Sequence, residues 1–285
     1  MSPIVRALRP KQWLKNVLVF AAPGAAGVVH HARPLAHALV AFVSFCAVSS
    51  ATYLANDVAD IEADQRHPVK RNRPIAAGLV SKPQAITVAA ILAVAGFVVA
   101  GLVSRQLLVV LAVYLATTTA YSAGLKRIAV VDLLIVATGF VLRAVAGAVV
   151  SNIGQSEWFL LYTCFGSLFI VAGKRYAELV QHDPSVRATL SSYSVSYLRL
   201  VLGAALACSM LAYCLWAFEK HASASAALPL YLVSIGPLVG GLLRYLLVLE
   251  AGQGAAPEDV FWRDRPLQVM GLLWAVVFGV AVYAG

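Results

Sequence analysis

Long apolar runs separated by short polar stretches make up most of this chain. Runs of about 20 apolar residues are long enough for a helix to cross a bilayer, whereas membrane strands are about half as long and alternate in polarity. We therefore predict nine membrane-spanning helices, at about residues 17–32, 36–55, 85–103, 107–122, 129–150, 157–173, 197–217, 227–249 and 267–284.

Composition supports a bilayer as the solvent of this chain. Hydrophobic residues make up 61% of the 285 residues and charged residues only 12%, about half the charged fraction of a soluble domain. Backbone groups in hydrocarbon must bond to one another, which favours helices. We expect an all-α membrane protein that forms a single domain over residues 1–285.

The positive charges are distributed unevenly along the chain. With nine spans, 16 of the 22 Lys and Arg residues fall on the side of the N-terminus and three in the opposite loops. Cytoplasmic loops are the ones rich in Lys and Arg, so the rich side is predicted to be cytoplasmic and the chain to be a multi-pass protein of the plasma membrane. This distribution explains the net charge of +9 without a nucleic-acid partner.

An acidic stretch begins where the second apolar run ends. If the helix continues, Asn56, Asp57, Asp60 and Asp64 lie within an arc of about 100° on one face. Three carboxylates so close repel each other unless a cation lies among them, and Mg²⁺ prefers oxygen ligands. We predict a catalytic Mg²⁺ site on Asp57, Asp60 and Asp64, with Asn56 orienting a ligand. The alternative is an ordinary solvated helix end.

A basic run follows the acids and includes Lys70, Arg71 and Arg73. Arginine forks and lysines beside a metal suit a pyrophosphate or sugar-phosphate ligand. The alternative for the basic run alone is a patch that binds lipid headgroups.

The motif Asn56-Asp57-x-x-Asp60-x-x-x-Asp64 and the later Arg71-Asn72-Arg73-Pro74-Ile75, together with nine predicted spans, resemble the UbiA superfamily of membrane prenyltransferases. The resemblance covers essentially the whole chain. It implies a nine-helix bundle with an active-site cavity at its cytoplasmic side, Mg²⁺ held by aspartates, and a lipid substrate that enters from the membrane.

One motif departs from the pattern of the prenyl-transferring members. Their second Asp-rich motif lies near the end of the sixth helix, where this chain has Gly173-Lys174-Arg175-Tyr176-Ala177-Glu178-Leu179. Two cations replace acids, which argues against a second metal. The sequence thus looks most like the superfamily's phosphoribosyltransferase branch, which implies transfer of 5-phosphoribosyl from phosphoribosyl pyrophosphate to decaprenyl or another polyprenyl phosphate for cell-wall arabinan synthesis.

These substrates carry three separate anionic groups, one pyrophosphate and two phosphates, and binding them requires several cations. Besides the acidic motif, the predicted substrate-binding residues are Lys15, Lys70, Arg71, Arg73, Tyr121, Lys126, Lys174, Arg175, Glu178 and Arg265. Glu178 would either hold Lys174, four residues earlier on a helix, or form a plain surface ion pair. Arg143, inside a predicted span, is a weaker candidate for the lipid-phosphate route.

Two other functions compete with this interpretation. A prenyltransferase acting on an aromatic acceptor would share the fold and the first acidic motif, but it would need the second one. A transporter would place charges in mid-membrane, whereas here they concentrate at one face. Small-residue helix faces also permit a homo-oligomer without specifying its size.

Overall fold

The structure is a computed structural model, and it describes residues 2–181, 189–223, 229–252 and 257–283. Within these ranges the regular elements are all helical. The α-helices are α1 (Pro3–Ala7), α2 (Ala21–Ala25), α3 (Ala32–Ala59), α4 (Ile61–Arg66), α5 (Lys82–Gly101), α6 (Arg105–Ala123), α7 (Val131–Val150), α8 (Glu157–Gln181), α9 (Val195–Ser223), α10 (Leu230–Val233), α11 (Ile235–Glu250), α12 (Pro257–Arg263) and α13 (Arg265–Tyr283). Short 3₁₀ helices cover Pro10–Phe20, Lys70–Asn72, Leu125–Arg127 and Leu190–Ser192.

Seven helices of the described residues are long and apolar enough to cross a membrane. They are α3, α5, α6, α7, α9, the α10–α11 stretch and α13. The prediction of an all-helical membrane protein is therefore confirmed, but the count of nine spans is not.

Two predicted spans are absent from the seven for different reasons. The segment 17–32 is divided between the 3₁₀ helix and α2, and α2 ends before Gly27, whose φ of 69° belongs to a left-handed turn. The segment 157–173 lies on α8, which also carries Glu157, Lys174, Arg175 and Glu178. These charged residues lower the mean hydropathy of α8, and α8 is not among the seven helices that are apolar enough to cross a membrane.

The chain divides into two compact units, and the division falls inside α7. The first unit comprises Met1–Ala123 and Leu142–Gly154, and the second comprises Gly124–Val141 and Gln155–Gly285. The expectation of one domain over residues 1–285 remains a prediction.

The first unit is built on α3. Phe45, Leu111 and Tyr114 belong to a buried cluster that joins α3 and α6, and Leu54, Ile75 and Ala85 belong to a smaller one beneath α1. Ser81 starts α5 with a capping box, since its side chain and that of Gln84 each bond the other's backbone N–H. Such reciprocal caps satisfy donors that a helix start leaves without partners.

The second unit is built on α8 and α9, which pack along their length. Phe169 and Tyr176 of α8, Leu198 and Leu202 of α9 and Leu249 of α11 are almost fully buried in its core. Gly173 permits α8 to approach α11, because a Cβ there would lie 2.6 Å from Leu249 Cδ1.

Candidate active site

The acidic motif lies at a break between two helices. α3 ends at Ala59, and Asp60 adopts φ −97° and ψ 11° before α4 begins at Ile61. The Asp60 N–H still donates to Asn56 O at 2.9 Å, and the Asp64 N–H donates to Asp60 O at 2.8 Å. The helical hydrogen-bond pattern thus continues across the break. Such continuity is a condition for the predicted placement of the acids on one helix face.

The burial of the three acids differs. Asp57 is 2% exposed and Asp64 is 3% exposed, whereas Asp60 and Asn56 are half-buried. Two buried carboxylates need charged partners, because an isolated charge in a low-dielectric interior costs many kcal/mol. Arginines supply these partners.

Arg73 bridges the two buried carboxylates. Its Nη1 lies 3.1 Å from Asp57 Oδ1 and 2.6 Å from Asp64 Oδ2. The backbone after it is fixed, because Pro74, Ile75 and Ala76 are buried and the N–H groups of Leu79 and Val80 both donate to Pro74 O. The basic loop thus returns to the acidic motif, and Arg73, which was predicted to bind a substrate phosphate, pairs with the carboxylates in the structure.

Arg9 is a second partner, and sequence reasoning did not include it in the site. Its Nη2 lies 2.5 Å from Asp57 Oδ1, and its guanidinium lies 5.0 Å from the centre of the Tyr53 ring. Arg9 has a left-handed φ of 55°, uncommon for a residue other than glycine. The Trp13 indole N–H donates to Ser50 Oγ, which donates to Leu8 O. These contacts fix the N-terminal segment on α3.

The other predicted substrate-binding residues of the first unit differ in their exposure to solvent. Lys15, Lys70 and Tyr121 are half-buried and Arg71 is exposed. His67 accepts from the N–H groups of Val69 and Lys70 through Nδ1. Partial burial and the nearby Lys70 lower the pKa of His67, so the side chain acts as a neutral loop acceptor.

Arg143 lies buried in α7, in the part that belongs to the first unit. It donates from Nε to Asn16 Oδ1 at 2.7 Å and from Nη2 to Tyr114 OH at 3.1 Å. Its guanidinium also lies over the rings of Phe45 and Tyr114. Ionisable groups at membrane depth are usually satisfied by such partners, so these contacts give Arg143 a structural role in joining three segments.

A separate charged cluster lies in the second unit, around Arg175. Arg175 is 4% exposed. Its Nε lies 3.0 Å from Asp132 Oδ2, and its Nη1 lies 3.0 Å from Glu178 Oε2. Two alternatives were predicted for Glu178, a pair that holds Lys174 or a plain surface ion pair, and in the structure it accepts a bond from the buried Arg175. Asp132 was not predicted at all.

Tyr193 completes this cluster. Its hydroxyl donates to Asp132 Oδ1 at 2.5 Å and accepts from the Val130 N–H at 2.6 Å. Burial raises the pKa of Tyr193, and the hydrogen bond to Asp132 raises it further. Val130 has a φ of 69°, a true outlier for a β-branched residue. Backbone strain of this kind persists only where surrounding contacts enforce it.

The remaining predicted residues of the second unit are cationic. Lys126 lies in the 3₁₀ helix Leu125–Arg127 and is half-buried, as is Lys174 on α8. Arg265 is exposed at the start of α13. Its neighbour Asp264 pairs with Arg244 at 2.7 Å, and this hydrogen bond holds the pKa of Asp264 below its usual range.

The oxygen donors of the first unit suit a hard divalent ion. Within the described ranges, no group of three or more His, Cys, Asp or Glu side chains could hold a metal, so the three-aspartate set is not assembled. Asp57 and Asp64 nonetheless share one cation, Arg73 Nη1. Mg²⁺ commonly takes one or two carboxylates and completes its shell with water and substrate phosphates, and these residues fit that pattern.

Long apolar helices, with buried carboxylates and arginines paired at the end of one of them, define the class of protein as an integral membrane protein with a charged cluster. The chain belongs to the UbiA prenyltransferase family, whose model matches residues 17–283. The membrane character predicted from the sequence is thus that of an integral membrane enzyme family.

Curated relatives are similar over almost the full length. The chain is 44% identical to the decaprenyl-phosphate phosphoribosyltransferase of Mycobacterium tuberculosis, covering 100% of this chain and 96% of the relative. It is 42% identical to the enzyme of that name from Corynebacterium glutamicum, covering 98% and 86%. A 4-hydroxybenzoate octaprenyltransferase from Albidiferax ferrireducens is 28% identical over 75% of this chain and 71% of that one.

A solved structure has the same fold. The UbiA homologue from Archaeoglobus fulgidus bound to DMAPP and Mg²⁺ superposes with a TM-score of 0.76 at 17% identity, and the match covers 99% of each chain. At this identity the likeness shows the fold alone.

Proposed function

We propose that this chain transfers a 5-phosphoribosyl group from phosphoribosyl pyrophosphate to a polyprenyl phosphate and releases pyrophosphate. The observation that carries the proposal is the 42–44% identity to decaprenyl-phosphate phosphoribosyltransferases over nearly the whole chain. Decaprenyl phosphate is the acceptor that this similarity favours. The product would serve cell-wall arabinan synthesis.

The charges of the described residues support this substrate pair. The donor carries a pyrophosphate and a separate 5-phosphate, and the acceptor's phosphate is a third anionic group. In the first unit, Arg9, Lys70, Arg71 and Arg73 surround or follow the acidic motif. In the second unit, Lys126 and Lys174 are half-buried lysines, each suited to meet a phosphate as a point charge.

Arg175 takes a different role in this proposal. Its bonds to Asp132 and Glu178 hold it in a buried network, so its effect on a phosphate is indirect. It fixes the C-terminal part of α8, which also carries Lys174. Glu178 and Tyr193 serve the same positioning purpose.

Asp57 and Asp64, with Asp60 beside them, would hold Mg²⁺, which would neutralise charge on the leaving pyrophosphate. The chain itself has mainly to bind and orient. An oxygen of the acceptor phosphate forms a bond to C1 of the ribose while the bond from C1 to the pyrophosphate oxygen breaks. The acceptor oxygen is already deprotonated, so no protein nucleophile or general base is needed, and positioning and charge stabilisation provide the catalysis.

The cytoplasmic face of the plasma membrane is the proposed location of the reaction. The acidic and basic motifs follow the C-terminal end of α3, in a connection that carries Arg66, Lys70, Arg71 and Arg73, and cytoplasmic connections are the ones rich in Lys and Arg. Phosphoribosyl pyrophosphate, a charged and water-soluble donor, would approach from that side.

A second candidate is prenyl transfer from a prenyl diphosphate to an aromatic acceptor. The A. fulgidus homologue was solved with DMAPP and Mg²⁺, and the octaprenyltransferase relative has an aromatic acid in its name. Against this candidate, Lys174 and Arg175 stand where a second acidic motif is expected.

The deciding experiment uses membranes that contain the full chain. One reaction receives labelled phosphoribosyl pyrophosphate and decaprenyl phosphate, and a parallel reaction receives labelled prenyl diphosphate and 4-hydroxybenzoate. The proposal expects Mg²⁺-dependent label in the lipid phosphate of the first reaction and none in the aromatic acid of the second. The reverse result would establish the prenyltransferase instead.

A further inference from the structure

One arginine nitrogen lies between the two buried aspartates and contacts both of them. Arg73 Nη1 is 2.6 Å from Asp64 Oδ2 and 3.1 Å from Asp57 Oδ1. Both carboxylates are nearly inaccessible, with 2% of Asp57 and 3% of Asp64 exposed. A metal ion that bound these two oxygens would therefore compete with the Arg73 guanidinium for the same small space.

The two buried carboxylates already have cationic partners. Arg9 and Arg73 together match the two negative charges of Asp57 and Asp64. A divalent ion that joined them would leave an excess of positive charge in a poorly solvated place, which the half-buried Asp60 alone would not cancel. A diphosphate that arrived with the ion would remove this excess, so the balance favours the entry of both together.

The arginine side chains have an open side. About a quarter of each is exposed, 27% of Arg9 and 26% of Arg73, whereas the carboxylates are buried. The backbone beyond Arg73 is anchored by the buried Pro74 and Ile75. A guanidinium displaced from the aspartates would therefore remain nearby, where it could form a bidentate pair with a phosphate.

We propose that Arg73 is an internal counter-cation that competes with Mg²⁺ for Asp57 and Asp64, and that the donor's diphosphate relieves this competition by accepting the displaced guanidinium. The proposal rests on the proposed function for the identity of the donor. It makes metal and diphosphate binding cooperative. Each should strengthen the binding of the other by the same factor, as thermodynamic linkage requires.

The test measures metal binding rather than catalysis. Mn²⁺ replaces Mg²⁺ as the probe, and free Mn²⁺ is followed by electron paramagnetic resonance with purified, folded protein and no lipid substrate. The same titration without protein is subtracted, because pyrophosphate itself binds Mn²⁺. In the wild type, adding pyrophosphate should tighten Mn²⁺ binding by about tenfold or more, within the usual range of coupling. Equal Mn²⁺ affinity with and without pyrophosphate would overturn the proposal.

Variants assign the effect to Arg73. Arg73→Gln should bind Mn²⁺ about tenfold more tightly than the wild type when pyrophosphate is absent, and should lose most of the coupling. Arg66→Gln removes one charge from an 82% exposed side chain and should change the affinity by less than about twofold, because exposed charges are strongly screened. Asp57→Asn should abolish the tight site.

The outcomes separate this inference from the proposed function. If Arg73→Gln fails to fold, Arg9→Gln tests the same charge balance and should also tighten Mn²⁺ binding without pyrophosphate. A folded Arg73→Gln protein with unchanged or weaker Mn²⁺ affinity would refute the counter-cation even if the wild type transfers phosphoribosyl groups. Failure of transfer with intact Mn²⁺–pyrophosphate coupling would instead refute the proposed reaction.

Discussion

Replacing Asp132 with Asn should destabilise the second unit strongly. Asp132 is 0% exposed and bonds Arg175 Nε and Tyr193 OH. The variant keeps the shape of the side chain but leaves the buried guanidinium with Glu178, which is itself 18% exposed. Removing one member of a buried ion pair costs about 3–5 kcal/mol, because the remaining charge loses its compensation.

The expected change in melting temperature follows from this cost. At about 2 °C per kcal/mol for a chain of this size, the Asp132→Asn protein should melt about 6–10 °C lower. The assay heats detergent-purified protein and measures the fraction that remains monodisperse by size-exclusion chromatography. Glu157→Gln, an exposed acid on the same unit, is the matched control and should shift the melting temperature by less than about 2 °C.

A double variant checks the reason for the loss. Asp132→Asn combined with Arg175→Met removes the buried charge as well as its partner, so it should be more stable than Asp132→Asn alone. A melting temperature of Asp132→Asn within about 2 °C of the wild type, or a double variant less stable than the single one, would refute the buried ion pair as a determinant of stability.

Three further changes test packing, capping and pH dependence. Gly147→Ala should cost about 3 kcal/mol or prevent folding, because its Cβ would lie 1.8 Å from Val19 O and backbone atoms cannot rotate away; thermal unfolding measures this. Ser81→Ala should cost about 1 kcal/mol through loss of the α5 cap, measured in the same way. The hydrogen bond from Arg244 lowers the pKa of Asp264 in the folded protein. The resulting stabilisation is present above the pKa of the unfolded state, 3.8, and is lost as the pH falls through the folded-state pKa. Melting curves at pH 3 and pH 5 measure it.

Each of these changes has a control that the chain provides. Gly203→Ala lies in α9 with nothing within 4 Å of the added Cβ and should be neutral or stabilising. Ser81→Asn retains a capping acceptor and should restore most of the loss. Asp264→Asn should reduce the difference between pH 3 and pH 5, and an unchanged difference would exclude Asp264 as its source.

The sequence predicted the long helices because their apolar runs were uninterrupted. The segments near 36–55, 85–103 and 129–150 coincide with α3, α5 and α7. It did not predict the breaks within 17–32, where the 3₁₀ helix ends at Phe20, α2 with Pro23 covers only five residues and the left-handed Gly27 follows. Hydropathy measures polarity and does not register such backbone restrictions.

The candidate site was predictable where its residues are close in the sequence. Asp57 and Asp64 are two helical turns apart, and Arg73 follows nine residues later, so helix phase and charge sufficed. Arg9 meets Asp57 across 48 residues, Arg175 meets Asp132 across 43, and Tyr193 meets Asp132 across 61. Such pairs depend on tertiary packing, and nothing local distinguishes Asp132 from other acids at helix starts.

The most direct test of the account is the rate of phosphoribosyl transfer to decaprenyl phosphate by the Asp57→Asn protein at saturating Mg²⁺. Asp57 is the carboxylate that both arginines contact. Its loss should lower the rate at least about a hundredfold, since removing one charge-stabilising group commonly costs this much. Glu62→Gln, on the same motif but 82% exposed, should retain the wild-type rate. Undiminished transfer by a folded Asp57→Asn protein would contradict the account.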